Sequence, residues 1–310
     1  VDSNDDRLKY SSNGVTISTA QAVARGKDWF INAQLGAAGN NGRSSGKSAL
    51  TMAQVVTAGL GNADRVYLSG VLREQINMPA DVFDVKIIGD AGKPRQATDG
   101  GVPTGGGACW LAPTSPTATT PLIRVSEQGF IFSNIFFAAE TDAACIQFRR
   151  DETAAIADGS HFQIFGCKFG GGLYGIEDKG GNGQCLIEGN EFNDISGASA
   201  VAIKSTSTAI ALPLRWRIIN NFFANNKNHI VTPLSSGEVT GNNFGIVGHS
   251  VTTVAACSLT GGQNNSVSLN ILNRPANTSP NATLYVGGTN DLWSHNFGTD
   301  AVIYGVPDNS

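Results

Sequence analysis

One six-residue pattern constrains this chain more than any other feature. It reads as an aliphatic residue, any residue, a small residue, usually Asn, any residue, then Phe or Leu. The copies are Ile131–Phe136, Ile164–Phe169, Ile187–Phe192, Ile218–Phe223, Val239–Phe244, Val267–Leu272 and Leu292–Phe297, with a partial early copy at Ile87–Asp90. Subtracting start positions gives steps of 33, 23, 31, 21, 28 and 25 residues. A period of this size marks stacked repeats in which each coil buries its apolar face only against its neighbours. The expected fold is all-β: a single-stranded right-handed parallel β-helix.

The motif's residue types follow from that geometry. First and last positions are expected to point inward and stack on their equivalents above and below. The small residue lets the chain bend, and Asn tolerates a left-handed backbone. Stacked Asn side chains can bond to one another and to the turn backbone, so Asn134, Asn190, Asn221, Asn242 and Asn270 are expected to form an internal ladder, broken at Cys167 and His295. A second column, Ile146-Gln147-Phe148, Ile176-Glu177, Ile203-Lys204 and Ile230-Val231, recurs at steps of 30, 27 and 27 residues between copies of the first. Two strands per coil in phase suit a β-helix, whereas a β-sandwich would not hold the phase.

Upstream, residues 1–28 show no period and are expected to form an N-terminal arm. Residues 29–64 hold a short strand (Trp29–Asn32), a Gly/Asn/Ser-rich loop (36–48) and an amphipathic helix starting at Ser48, its N-cap, with apolar Met52, Val55 and Val56 and terminal Gly59 and Gly61. The solenoid is expected to occupy 65–310. Because the sequence stops at Ser310, just past the last copy, no separate C-terminal trimerisation or receptor domain is expected. Composition agrees with short strands and tight turns: 38 glycines and only 15% charged residues, against roughly 25% in soluble domains. A net charge of -4 offers no basic field for nucleic acid or acidic membranes. No apolar run is long enough to span a bilayer, and the polar opening Val1–Tyr10 is unlike a leader. Cys109, Cys145, Cys167, Cys185 and Cys257 lack zinc spacing and sit mostly in apolar strands, so they read as free, buried small side chains. No metal or cofactor is expected.

The segment from Trp29 to Gly89 resembles the opening of right-handed β-helix proteins of the pectate-lyase-like class, in which a strand, a Gly/Asn loop and a capping helix precede the first coil. The stretch Thr98–Pro103, Gly107–Trp110 and then Gln128–Ile135 resembles β-helix proteins of bacteriophage virions. The resemblance covers about residues 29–305. It implies fold more specifically than function.

Candidate sites each carry two readings. The loop Gly42-Arg43-Ser44-Ser45-Gly46-Lys47-Ser48 approaches a phosphate-binding loop, but Asn41 stands where the motif needs its first Gly. Strand alternation sets Gln147, Glu177, Lys204 and Val231 side by side outside one sheet, with Arg149 nearby. Glu177 with Lys204 or Arg149 suits acid/base work on an acidic sugar; a cross-strand charge ladder is the simpler reading. Glu188, Glu191 and Asp194 make an acidic group on the next face, either a glycosidase-type carboxylate pair or solvated turn charges. The catalytic sets of the polygalacturonases and pectate lyases, enzymes of the resembled class, are missing. His161, His229, His249 and His295 share no spacing, and Asn264, Asn277 and Asn281 begin N-x-[ST] sequons that an Asn-rich chain produces by chance.

The motif's second and fifth positions are expected to face outward, yet they carry Phe132, Ile135, Phe165, Ile219, Phe222, Ile271 and Trp293. Such a face implies cover, either by the chain's own loops, such as 92–120, or by other subunits in a three-fold assembly. The leading expectation is a bacteriophage virion structural protein, tailspike-like or on the capsid surface. It is expected to be homotrimeric, at the virion surface, in contact with other virion proteins and with bacterial surface polysaccharide. The alternatives are a depolymerase of that polysaccharide, with Glu177, Glu188 or Glu191 catalytic, and a non-catalytic glycan-binding module using Trp110 or Trp293, with Arg149 and Lys204, to hold sugar.

Overall fold

A computed structural model describes residues 26–90, 107–149, 160–195, 197, 199–206, 213–245, 255–273 and 285–298. Among them the strands form three all-parallel sheets of ten, nine and eight strands, visited in rotation along the chain. One coil shows the pattern: Gln163–Phe165 lies in the first sheet, Lys168–Gly170 in the second and Tyr174–Lys179 in the third, before Leu186–Glu188 returns to the first. Each strand pairs with its equivalent one coil away, as in Ile164↔Ile187↔Ile218↔Val239↔Val267. This is a parallel β-helix, and its right-handed sense is the one β-strand crossovers take.

The core is built from columns. On the second sheet Phe137, Phe169, Phe192, Phe223 and Phe244 stack with centroid spacings of 5.3, 4.7, 5.0 and 5.1 Å. These distances are near the roughly 4.8 Å strand spacing that parallel pairing imposes. Each fully buried ring contributes about 1.5–3 kcal/mol of hydrophobic stabilisation. At the corner between the first and second sheets the Asn ladder is continuous from Cys167 to Asn296. The Asn190, Asn221, Asn242, Asn270 and Asn296 Oδ1 atoms each accept the backbone N–H one coil earlier at 2.9–3.1 Å. Each Nδ2 in turn donates to a carbonyl of the preceding coil, from Ile164 to Val267.

The register differs from the expected one in the first and last copies. Phe132, not Ile131, is in line with Ile164, and Trp293, not Leu292, is in line with Val267. Asn134 therefore leaves the ladder. It occupies the left-handed position of the corner, φ 56°, equivalent to Gly166, Gly189, Asn220, Gly241, Leu269 and His295. Ile135 takes the ladder position, fully buried, and His295 does not break the ladder, because Asn296 continues it. The cause is a run of adjacent apolar residues, Ile131-Phe132 and Ile135-Phe136-Phe137. Alternation cannot choose between registers there, and the corner hydrogen bond Asn134 N–H to Phe165 C=O decides.

The strand Asp28–Asn32 is already the first rung of the ten-stranded sheet, paired with Arg65–Ser69. The helix spans Met52–Thr57 with Thr51, not Ser48, as N-cap; the capping box with Gln54 is present. The Glu74 carboxylate also accepts hydrogen bonds from the Met52 and Ala53 N–H groups at 2.6 and 3.4 Å. Ser48 instead closes the short 3-10 turn Ser45–Lys47, its Oγ donating to the Ser45 carbonyl. Buried Asp64 ties this end together by accepting from the Lys27 and Gly61 N–H groups and the Trp29 indole. All five cysteines are free and buried. The expected arm to residue 25, the Thr98–Pro103 stretch, most of the 92–120 loop, His249, Asn277 and Asn281 lie outside the described residues.

Candidate functional site on the outer face of the third sheet

The second column is in register as expected: Ile146↔Ile176↔Ile203↔Ile230, with Gln147↔Glu177↔Lys204↔Val231 beside it. Arg124 extends that row by one coil. Parallel in-register pairing brings these side chains together although neighbours in the row lie 23–30 residues apart in sequence. The Arg124 Nε donates to Gln147 Oε1 at 2.8 Å, and Gln147 Nε2 donates to Glu177 Oε2 at 2.6 Å. The Lys179 Nζ lies 3.6 Å from Glu177 Oε1. Gln147 and Glu177 are only 4% and 5% exposed, so this is a desolvated polar relay rather than a solvated surface row.

Lys204 does not pair with Glu177, as the sequence suggested it would. Its Nζ donates to Tyr174 Oη at 2.8 Å and lies 4.4 Å from the Tyr174 ring centroid. The result is two adjacent units: a carboxylate held by an amide and an ammonium, and a phenol–ammonium pair. Arg149 is exposed next to them, in register with Lys179. Arg124, Lys179 and Tyr174 were missed in sequence. Arg124 precedes the recognised column, and the other two lie on the recognised strand but outside the two-residue motif.

The other expected sites are placed differently. Glu188 ends a strand of the first sheet and Glu191 begins one of the second, on opposite sides of the Gly189-Asn190 corner. Glu191 is engaged by Lys168 at 2.6 Å. The Asp194 carboxylate accepts from the Asn225 amide. Trp110 and Trp293 are 0% and 3% exposed and cannot serve as sugar platforms; the Trp110 indole donates to the Glu74 carbonyl. Phe132 and Ile135 face the core, both fully buried. Phe165, Ile219, Phe222 and Ile271 keep outward positions, but Ile219 is 7% exposed while Phe222 and Ile271 are 38% and 42% exposed. The outward apolar group is thus narrower than expected and lies on the second sheet, where Phe222, Ile271 and 57%-exposed Phe297 occupy one column interrupted by Asn243.

One interior group is chemically distinct. Asp178 points into the solenoid in line with Phe148 and Ser205. It accepts from Ser205 Oγ and from the Asn182 side-chain amide and backbone. Burial pushes its carboxyl from 3.8 up to about 7. Fully buried His229 lies against Phe223 and Phe244, and burial lowers it from 6.5 to about 3.

No protein-family model and no curated protein matches the chain. Solved structures do. The surface adhesin PfbA of Streptococcus pneumoniae aligns at 12% identity and TM-score 0.43 over 78% of this chain; the chain spans 63% of the adhesin's length. A pectin methylesterase in complex with a hexasaccharide aligns at 10% identity and TM-score 0.41, over 90% of this chain and 92% of the enzyme. The Dettilon tailspike protein aligns at 10% identity and TM-score 0.29, over 87% of this chain and 68% of the tailspike. At that distance the assignment rests on the sheet topology of the chain itself: it is a three-sheeted parallel β-helix.

Proposed function

We propose that this chain is a structural β-helix of a bacteriophage virion, tailspike-like or on the capsid surface, that holds bacterial surface polysaccharide along the outer face of its third sheet. The observation that carries the glycan reading is the half-buried Tyr174–Lys204 pair, flanked by exposed Arg149 and Lys179 and backed by the buried Gln147–Glu177 hydrogen bond. A rigid sheet repeats its side chains at one strand spacing along the axis, which suits an extended polymer with a repeating pattern of hydroxyl and acidic groups. Lys204 and exposed Arg149 supply the positive charge for the acidic groups, and the Tyr174 ring supplies an apolar face. The virion reading is supported by the resemblance of Gly107–Trp110 and Gln128–Ile135 to phage β-helix proteins. A homotrimer is supported by the outward column Phe222, Ile271 and Phe297, because a parallel three-fold packing of solenoids covers such a face.

Glu177 favours a second reading, a polysaccharide depolymerase, because a nearly buried carboxylate hydrogen-bonded to an amide is suited to proton transfer. One experiment separates the two. The protein is incubated with a panel of capsular polysaccharides and lipopolysaccharides, and both retention and new reducing or unsaturated ends are measured. Retention without chain cleavage, weakened at least tenfold in Lys204→Ala, is the expected result. Cleavage abolished by Glu177→Gln establishes the enzyme instead, and no retention on any member of the panel refutes both. Light scattering tests the assembly; a stable monomer refutes the trimer.

A further inference from the structure

We infer that the solenoid encloses an ordered water in a polar seam behind the third sheet, held between the Ser205 and Thr232 hydroxyls. The seam is independent of the outer-face site, although it lies on the same strands. One inward column of the third sheet runs Phe148, Asp178, Ser205, Thr232 and Leu259, read from the strand register and its continuation by one residue. All five are at most 4% exposed. The column is apolar at both ends and polar over three successive rungs. Fully buried Asn182 joins it from the corner after Gly180 and Gly181, its side-chain amide donating to Asp178.

Thr232 Oγ1 and Asn182 Oδ1 are buried here without a hydrogen-bond partner. The groups around them are committed elsewhere. Ser205 Oγ donates to Asp178 Oδ2 at 2.5 Å, and the Asn182 carbonyl accepts from the Trp216 indole at 2.6 Å. The Thr232 N–H is spent on the Ser258 carbonyl. Pro213, one rung above Asn182 by the Gly183↔Leu214 pairing, has no N–H to offer. Buried polar groups are almost always paired with protein or with ordered water, and it is apolar cavities that stay dry.

Geometry and chemistry select water. The Ser205 and Thr232 hydroxyls stand one rung apart, about 4.8 Å by strand spacing. That is too far for a direct bond, and it is the span one water closes at a near-tetrahedral angle with two bonds of about 2.8 Å. The water accepts from the Thr232 hydroxyl and donates to Ser205 Oγ, whose own proton is on Asp178. Its second proton is available to Asn182 Oδ1, which gives the roughly three partners usual for a buried water. A calcium ion takes about six to eight oxygens, whereas the seam supplies a single carboxylate that already accepts hydrogen bonds on both oxygens. The water completes a chain from Asn182 through Asp178 and Ser205 to Thr232, on the inner side of the strands that carry Glu177, Lys204 and Val231 outside.

The direct test needs no variant: a crystal structure of the full chain at a resolution that orders solvent. A solvent peak within hydrogen-bond distance of both Ser205 Oγ and Thr232 Oγ1 is expected; no peak, or a direct bond between the two hydroxyls, overturns the assignment. In solution, oxygen-17 relaxation dispersion is expected to count one long-lived internal water fewer in Thr232→Val than in the wild type, and the same number in Thr232→Ser. The sign of the stability change is an independent check, because valine keeps the shape of threonine. Loss of a water-bonded hydroxyl is expected to lower the urea midpoint by about 0.3 M, whereas loss of an unpaired one raises it. An unchanged water count, or a midpoint that stays or rises in Thr232→Val, overturns the assignment. So does a wild-type midpoint that shifts when sodium is replaced by choline at constant ionic strength, which puts a cation in the seam instead.

Discussion

Asp178 and His229 are buried in the same solenoid and displaced in opposite directions, and the pH dependence of stability tests this reasoning most sharply. The folded-state value of Asp178 is raised from 3.8 to about 7. The folded chain therefore keeps a proton that the unfolded chain has released, so stability is highest below pH 4 and falls as pH rises towards 7. Integrated over that window the loss is about 4 kcal/mol, at about 1.4 kcal/mol per pH unit. His229 is lowered from 6.5 to about 3. The unfolded chain holds the proton that the folded chain refuses, so stability is full above pH 6.5 and is lost as pH falls towards 3, by about 5 kcal/mol. Between pH 4 and 6.5 the two slopes cancel, and their joint contribution to the wild-type profile is flat. Removing either group exposes the other. Asp178→Asn keeps an acceptor for Asn182 and gains a donor for Ser205, so its stability rises steadily from pH 4 to 6.5. At pH 8 it exceeds the wild type by up to about 4 kcal/mol. His229→Gln shows the opposite limb, losing stability from pH 4 to 7. Urea unfolding followed by tryptophan fluorescence is a suitable assay, since the Trp216 indole donates to the Asn182 carbonyl next to Asp178. Subtracting the wild-type profile from each variant's removes the contribution of other groups, including Glu74, which burial also raises. An Asp178→Asn profile parallel to the wild type, or a variant less stable than the wild type at pH 8, would show that Asp178 is held ionised and refute the reasoning.

Two further outcomes follow from the core. Asn221→Ala deletes the Nδ2 bonds to the Ile187 carbonyl and Asn242 Oδ1 and strips the Asn190 N–H of its acceptor. It is expected to cost about 3–5 kcal/mol, since each buried polar group left unpaired costs about 1–3 kcal/mol; a loss below 1 kcal/mol by chemical denaturation would mean the ladder is ornamental to stability. Burial pushes the Cys145 and Cys167 thiols up to about 12 and Cys109 up to about 11. None of the three is expected to react with a disulfide reagent at pH 8 until the chain is unfolded in urea, whereas rapid native-state labelling at any one would show that its coil opens.

The sequence by itself determined the solenoid. A motif with Asn at the corner and Phe beyond it can be satisfied only by stacking on copies of itself, and every copy from Ile164 to Leu272 sits in the expected register. The Gln147–Glu177–Lys204–Val231 row was legible for the same reason, since a period-two strand fixes which side chains share a face. Three things were decided only in the folded chain. The register of the first and last coils depends on which residue takes the left-handed corner, and where apolar residues are adjacent that choice is made by hydrogen bonds from the next coil. It moved Phe132, Ile135 and Trp293 from the surface to the core. A second corner went unread: His161, Gln184, Arg215, Ser236, Asn264 and Asn290 all take φ between 52° and 60°. Its residues share a backbone conformation and no common chemistry, so no pattern of residue types marks them. Which groups meet across rungs was also beyond the linear chain. Lys204 turns to Tyr174 rather than to Glu177, and Phe30, Tyr67 and Ile88 line up from segments with no common motif, because contacts between coils depend on loop lengths that the repeat leaves free.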